Sequence, residues 1–313
     1  MSRVAPFRGI VPAMSVPWHP DDSLDEAELQ RFTRWLTGHE GIGALATNGH
    51  TGEVYALSAK ERAHVTRIVA DAAGDTPVIS GICCEGINEA VEHAGMAVEA
   101  GASGCLIMPP HGWLRFGMRP EHVIDHFTAI GKAVDANLVV HVYPAWTRAS
   151  YASELLVELA RLPWVTTFKL GTREVGKYER DIKAIRAADP DVTILDCIDE
   201  FLLATMIQGV DGALVGFASF VPELIIELYA AVQANDLVRA KAVYERIFPL
   251  KEMVYGTGEP SGDAHARMKM AMVLSGRFKS ARNRPPIRKP EGATLDHIRR
   301  TLEHAGMLLN DAA

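Results

Sequence analysis

Val165-Thr166-Thr167-Phe168-Lys169-Leu170-Gly171 reads as a short buried strand, rich in β-branched and aromatic residues, led in by Pro163-Trp164 and closed by a glycine. A lysine at the far end of such a strand is costly, because a sheet interior disfavours a charged ammonium. A neutral amine beside a small carbonyl compound is what Schiff-base chemistry needs. Taken alone, Lys169 reads more simply as a side chain that snorkels to solvent or pairs with a carboxylate. The rest of the chain decides between the two.

Outward from that strand, short apolar runs alternate with helical stretches. Ahead of it lie strands at 9–14, 41–46, 77–82, 104–108 and 137–143; after it come 192–196 and 212–216. Between them run helices at about 24–37, 58–73, 87–100, 120–134, 150–162, 178–188 and 200–208. Ser23 with Glu26 and Ser58 with Glu61 have capping-box spacing. Eight strands, each followed by a helix, predict a (β/α)8 TIM barrel over residues 1–221. A doubly wound open sheet is the runner-up, but no G-x-G-x-x-G follows the first strand. Past Pro222 the alternation stops. Helices at about 222–234, 237–255, 264–275 and 294–306 make residues 222–313 a C-terminal helical extension, apolar enough (Met268, Met270, Met272, Val273, Leu274) to pack on the barrel.

Composition narrows the function. A chain of 313 residues, 48% hydrophobic, can bury a large core, and barrels of this length form one unit. A formal charge of -7 with no isolated basic block argues against nucleic acid; the basic run from Arg277 to Lys289 is broken by prolines and reads as a loop. No window is long enough for a membrane span, and Met1–Pro6 lacks the apolar stretch of a leader, so a cytoplasmic protein is expected. Cys83, Cys84, Cys105 and Cys197 lack metal spacing and read as reduced packing residues.

In a barrel of this kind chemistry sits at the C-terminal strand ends. The polar residues there are Thr47, Asn48, His50, Thr51 and Glu53 after strand two, His111 after strand four, and His141 and Tyr143 on strand five. Lys169 ends strand six, Asp196 and Asp199 follow strand seven, and Gly216 and Ser219 follow strand eight. His141 and Tyr143, two apart, share a strand face and can both approach Lys169. Gly49-His50-Thr51-Gly52-Glu53 can turn successive N–H groups toward one point, a nest for a carboxylate, although many tight turns look the same. Glu53 is expected to cap its loop or the next helix; Asp196 and Asp199 read first as caps of the next helix, and second as contacts to a polyhydroxy substrate. Cys197 reads as packing, His64, His93, His122 and His126 as surface residues, and His265 carries no reading of its own.

Three segments carry a family likeness. Gly49-His50-Thr51-Gly52-Glu53 resembles the Gly-Thr-Thr-Gly-Glu loop of the dihydrodipicolinate synthase / N-acetylneuraminate lyase family; Val140-His141-Val142-Tyr143-Pro144 resembles its Tyr-Asn-x-Pro segment; Phe168-Lys169 resembles its Ile-Lys segment, where the lysine forms a Schiff base. Arg284-Pro285-Pro286-Ile287 is similar to the family's closing Arg-x-Pro-Leu/Ile, and the likeness runs from about Phe7 to Leu309. It implies a lysine-dependent lyase or aldolase acting on pyruvate or another 2-oxo acid, possessing no metal or organic cofactor, commonly a homotetramer. Lys169 would be the nucleophile, Tyr143 or His141 the proton shuttle, with His50 and His111 assisting. Gly49, His50 and Thr51 would hold the carboxylate, with Trp146 and Gly216 as further substrate contacts.

The departures argue against dihydrodipicolinate synthase itself. Three hydroxyl groups of the proton relay are matched by His50, His111 and His141, and the arginine that grips the aldehyde's carboxylate by Trp146. They imply another electrophile or leaving group: an aldehyde, or a 2-keto-3-deoxy sugar acid that is cleaved or dehydrated. Imidazoles suit proton transfer near neutrality. Two other readings stay open: a metal-assisted aldolase or hydrolase built on the three histidines, and a non-catalytic binder of a 2-oxo acid.

Overall fold

Strand interiors here are nearly unbroken Val, Ile, Leu and Ala, as expected of parallel strands covered on both faces. The computed structural model describes residues 7–256 and 262–309; Met1–Pro6, on which the leader reading rests, and the end of the extension past Leu309 lie outside the described residues. In chain order the strands are β1 (Gly9–Pro12), β2 (Leu45–Thr47), β3 (Val78–Ile82), β4 (Gly104–Ile107), β5 (Asn137–Val142), β6 (Val165–Leu170), β7 (Thr193–Asp196) and β8 (Gly212–Val215). Between them come α1 (Glu26–Thr37), α2 (Ala59–Ala72), α3 (Ile87–Glu99), α4 (His111–Phe116), α5 (Pro120–Ala133), α6 (Ser153–Ala160), α7 (Val175–Ala188) and α8 (Leu202–Met206). After β8 follow α9 (Phe217–Phe220), α10 (Pro222–Gln233), α11 (Leu237–Tyr255), α12 (Ala264–Leu274) and α13 (Gly292–His304).

All strand pairs are parallel, in the order β1-β8-β7-β6-β5-β4-β3-β2. Parallel bridges Ile10↔Ile42 and Ala13↔Ala46 close β1 onto β2, helped by Gly43 N donating to Ile10 O at 2.9 Å. Gly43 permits that closure, since a Cβ there would lie 1.6 Å from the Arg8 carbonyl oxygen. The chain is therefore a (β/α)8 barrel with C-terminal helices, as the strand count predicts. Two local expectations are corrected. Strand two is shorter than 41–46 and ends at Thr47, because 41–43 serve as the closing seam. Helix α1 is capped not by Ser23 but by Asp25, whose side chain accepts from Glu28 N at 2.9 Å; Ser23 Oγ instead donates to Asp21 Oδ1 within the preceding turn. Ser58 and Glu61 do form a capping box on α2.

Phe7, Val11, Ala13, Ala44, Ala46, Ile79, Leu106, Val139, Leu195 and Leu214 fill the barrel as a cluster separate from the strand–helix core. Alternation along the strands then carries side chains from that plug to the upper rim: Val139 leads to His141 and Tyr143 on the β5 side, and Leu195 to Cys197 and Asp199 after β7. No described helix is long and apolar enough to cross a membrane.

The extension is tied to the barrel through Glu53. Its carboxylate accepts from Trp18 Nε1 (3.1 Å), from the backbone N–H of Arg284 (2.8 Å) and from the buried Lys269 ammonium on α12. Glu53 is thus an anchor rather than a cap. Arg284, in turn, stacks on Trp18 at 3.9 Å and donates to Glu61 Oε1 at 2.6 Å. The basic run is a loop, and its Arg277, Arg282 and Arg284 are all ion-paired.

Candidate active site

A cavity of about 320 Å³ opens at the C-terminal ends of the strands, with His50, His141, Lys169, Arg173, Asp199 and Tyr255 in its wall. His141 and Lys169 are register partners on β5 and β6. Lys169 is buried and, among the described residues, has no hydrogen-bond or ion-pair partner. The simple reading of a lysine paired with a carboxylate does not hold. It shares the cavity with three imidazoles, His50, His141 and His265, on each of which its charge acts.

Burial, and then the Lys169 charge, pushes His50 down to about 3 and His141 well below the ordinary histidine range. Both rings are therefore neutral at physiological pH. The Tyr143 hydroxyl lies 3.1 Å from His50 Nε2, and the rings of His141 and Tyr143 meet edge to face with centroids 4.9 Å apart. Burial raises the Tyr143 pKa, so this phenol stays protonated. His141 Nε2 faces Cys197 Sγ at 3.6 Å, while its Nδ1 is buried without a partner.

The glycine loop after β2 folds on itself. Gly52 N and Val54 N donate to Gly49 O, and Glu53 N to His50 O. The N–H groups of His50 and Thr51 donate to no group among the described residues. Thr51 and Gly216 are neighbours in the cavity wall: a Cβ on Gly216 would lie 2.8 Å from Thr51 Oγ1 and 3.4 Å from the Tyr255 hydroxyl.

Other side chains in the wall were given a different part by the sequence, or none. Arg173 follows Gly171-Thr172, sits at φ 56 and forks onto Glu200, with Nη2 at 2.8 Å from Oε1. Cys197, expected only to pack, lines the cavity. Asp199, expected to cap, accepts from Phe217 N (3.0 Å) and from the Tyr255 hydroxyl of α11 (3.1 Å). Burial, and then Glu200, raises its pKa to about 6. Asp196 is buried lower down, takes hydrogen bonds from Tyr178, Ile198 N and Thr205, and is pushed by burial to about 7. His265 comes from α12, and burial followed by Lys169 lowers it to about 4.

His111 and Trp146 are not among the cavity-lining residues. A helix starts directly at His111, so its ring turns to Glu85 (3.4 Å) and is half exposed, although it still presses electrostatically on His50. Trp146 is 61% exposed. The third imidazole of the cavity is His265, not His111. His50, His111 and His141 consequently do not converge as metal ligands. Among the described residues, Cys84, Glu89 and His93 are the group with ligand spacing, and the Arg62 guanidinium stands 3.4 Å from His93 Nδ1 there. His93 is thus mostly buried, and His126 wholly so, contrary to the surface expectation; both lie on helix faces turned inward.

The comparisons agree with this geometry. Residues 6–305 match the model of the Dihydrodipicolinate synthetase family. The chain is 30% identical over 298 residues to the 4-hydroxy-tetrahydrodipicolinate synthase of Haloarcula marismortui, covering 95% of this chain and 93% of that one. It is 28% identical to an uncharacterized DapA-like lyase of Thermofilum pendens, across 82% and 85% of the two chains. In fold it is similar to YagE of E. coli K12, solved in complex with pyruvate (TM-score 0.87, 24% identity, 96% and 99% covered), and to the dihydrodipicolinate synthase of Thermotoga maritima (0.87, 22%, 96% and 99%). A barrel with a lysine at the end of its sixth strand defines the class, and the chain belongs to the dihydrodipicolinate synthetase family.

Proposed function

We propose that this protein is a lysine-dependent lyase or aldolase of pyruvate or a closely related 2-oxo acid, working through a Schiff base on Lys169. The observation that carries the reading is a buried, unpaired Lys169 amine facing neutral imidazoles at the rim of a closed barrel. The pyruvate bound by the similar YagE supports the choice of acid. Lys169 Nζ attacks the ketone carbon, and water leaves to give an iminium. The iminium draws electrons from C3, so a C3 proton leaves to His141 or, through the Tyr143 hydroxyl, to His50, and an enamine forms. The free N–H groups of His50 and Thr51 are placed to hold the carboxylate, with Gly49 completing the turn. Gly216, having no side chain, leaves room beside Thr51.

His111 and Trp146 belong to the rim in this reading. Phe116 and Trp146 are exposed at 78% and 61%, and Arg148 Nη1 donates to Arg115 O at 3.1 Å, so these two loops touch. Their apolar side chains support a homo-oligomer joined near the site, and light scattering before and after Phe116→Glu tests it.

The deciding experiment is intact mass after pyruvate and borohydride. A reduced pyruvyl adduct on wild type and none on Lys169→Ala is the expected result. Pyruvate binding without an adduct on wild type removes the lysine mechanism and leaves a binding protein.

A further inference from the structure

Of the three phenols that line the cavity, Tyr143 and Tyr255 are each hydrogen-bonded to a different kind of base. On one side Tyr143 meets His50; on the other Tyr255, from the C-terminal helix α11, donates to Asp199 Oδ2 at 3.1 Å. Formation of an enamine from pyruvate needs one base at C3. It leaves the second pair without work. Tyr255 and Asp199 both line the cavity, and the Tyr255 hydroxyl and Thr51 Oγ1 crowd the same face of Gly216, so the second pair shares one chamber with the carboxylate nest.

We propose that Tyr255 is a second catalytic residue, positioned by Asp199, which moves the proton of the C4 hydroxyl of a 4-hydroxy-2-oxo acid. This rests on the Schiff-base reading and adds a proton-moving residue to it. In the cleavage direction the C4 O–H proton passes to the Tyr255 oxygen while the Tyr255 proton passes to Asp199 Oδ2. The C3–C4 electron pair moves into the iminium to give the enamine, and C4 leaves as an aldehyde. In condensation the enamine C3 attacks the aldehyde carbon, and the proton returns from Asp199 through Tyr255 to the new C4 oxygen. Electrons and protons balance with no further reactant. Tyr255 never ionises: burial, followed by the Asp199 charge, lifts its pKa well above the ordinary phenol value, so the transfer is a relay. Asp199, raised to about 6, is a stronger base than an ordinary carboxylate and takes up the relayed proton more readily.

The division of labour gives the test. Exchange of the pyruvate methyl protons in D2O, followed by NMR, needs Lys169 and the first pair only. Condensation of pyruvate with glyoxylate, glycolaldehyde and glyceraldehyde needs both pairs. Tyr255→Phe and Asp199→Asn are expected to keep the borohydride adduct and methyl exchange within about threefold while condensation falls roughly 100-fold or more, the range of a lost acid–base group. Retained exchange also shows that the variant's site is folded. Condensation at the wild-type rate in Tyr255→Phe overturns the proposal, as does exchange that falls in step with condensation. A wild-type protein that exchanges methyl protons but joins pyruvate to none of the three aldehydes overturns it too. Absence of both adduct and exchange in wild type sinks the Schiff-base reading itself, which separates the two failures.

Discussion

The Tyr143 hydroxyl on the β5 side and His50 Nε2 on the loop after β2 meet at 3.1 Å in the wall of the cavity that Lys169 also lines. With His50 held neutral, the tautomer protonated on Nδ1 lets the phenol donate to Nε2. Tyr143→Phe and His50→Gln should each slow pyruvate methyl exchange by about 100-fold. Because they break one relay, the double variant should be little slower than either single one, and additive losses in NMR exchange rates would show that the two act separately.

Lys269 and Glu53 form a buried ion pair between α12 and the substrate loop. Lys269→Met leaves the Glu53 carboxylate buried and without its cation, which should cost about 3–5 kcal/mol in urea unfolding. The double variant Glu53→Gln/Lys269→Met removes both charges and should recover a large share of that loss. If the single and double variants melt alike, the pair does not hold the extension down.

His126 lies between Trp113 and Phe127, with ring centroids at 5.7 and 6.2 Å, and burial lowers its pKa to about 4. The unfolded chain takes up this proton below about 6.5 and the folded chain only near 4, so folded stability falls as pH drops through that window. Relative to His126→Phe, wild type should lose on the order of 1–2 kcal/mol between pH 7 and pH 5. Asp196, held at about 7, has the opposite sign, its contribution fading as pH rises, so only the difference between the two proteins isolates His126. A flat difference across the window would place the ring in water.

Gly216 has φ -65 and ψ -38, a conformation alanine accepts, yet its Cβ would reach 2.8 Å from Thr51 Oγ1. Gly216→Ala should therefore cost only about 1 kcal/mol of stability, at the low end for overpacking. Its KM for pyruvate should rise on the order of tenfold, which is about 1.4 kcal/mol of binding. An unchanged KM would mean that Thr51 can turn away without loss.

Period and spacing made the barrel legible. Eight apolar runs at regular intervals fix the strand count, and the i, i+2 spacing of His141 and Tyr143 places both beside Lys169. The site's other half was not. Helix α12 is buried over nearly its whole surface, so no polar stripe marks His265 as facing a cavity. Tyr255 ends a helix whose pattern says only that it packs. His111 misled because the strand end and the helix start coincide there, turning its ring to the rim. His126 carried a readable mark: Val123, His126, Phe127 and Ile130 have the i, i+3, i+4, i+7 spacing of a buried face.

The order in which these groups are made also matters. Lys169 and β8, which ends at Val215, are both made before Tyr255, His265 and the Lys269 tether. A nascent chain with every strand synthesised thus lacks two of the side chains that line the cavity and the cation that anchors the extension. A stop codon within α11 would yield all eight strands with the cavity wall unfinished.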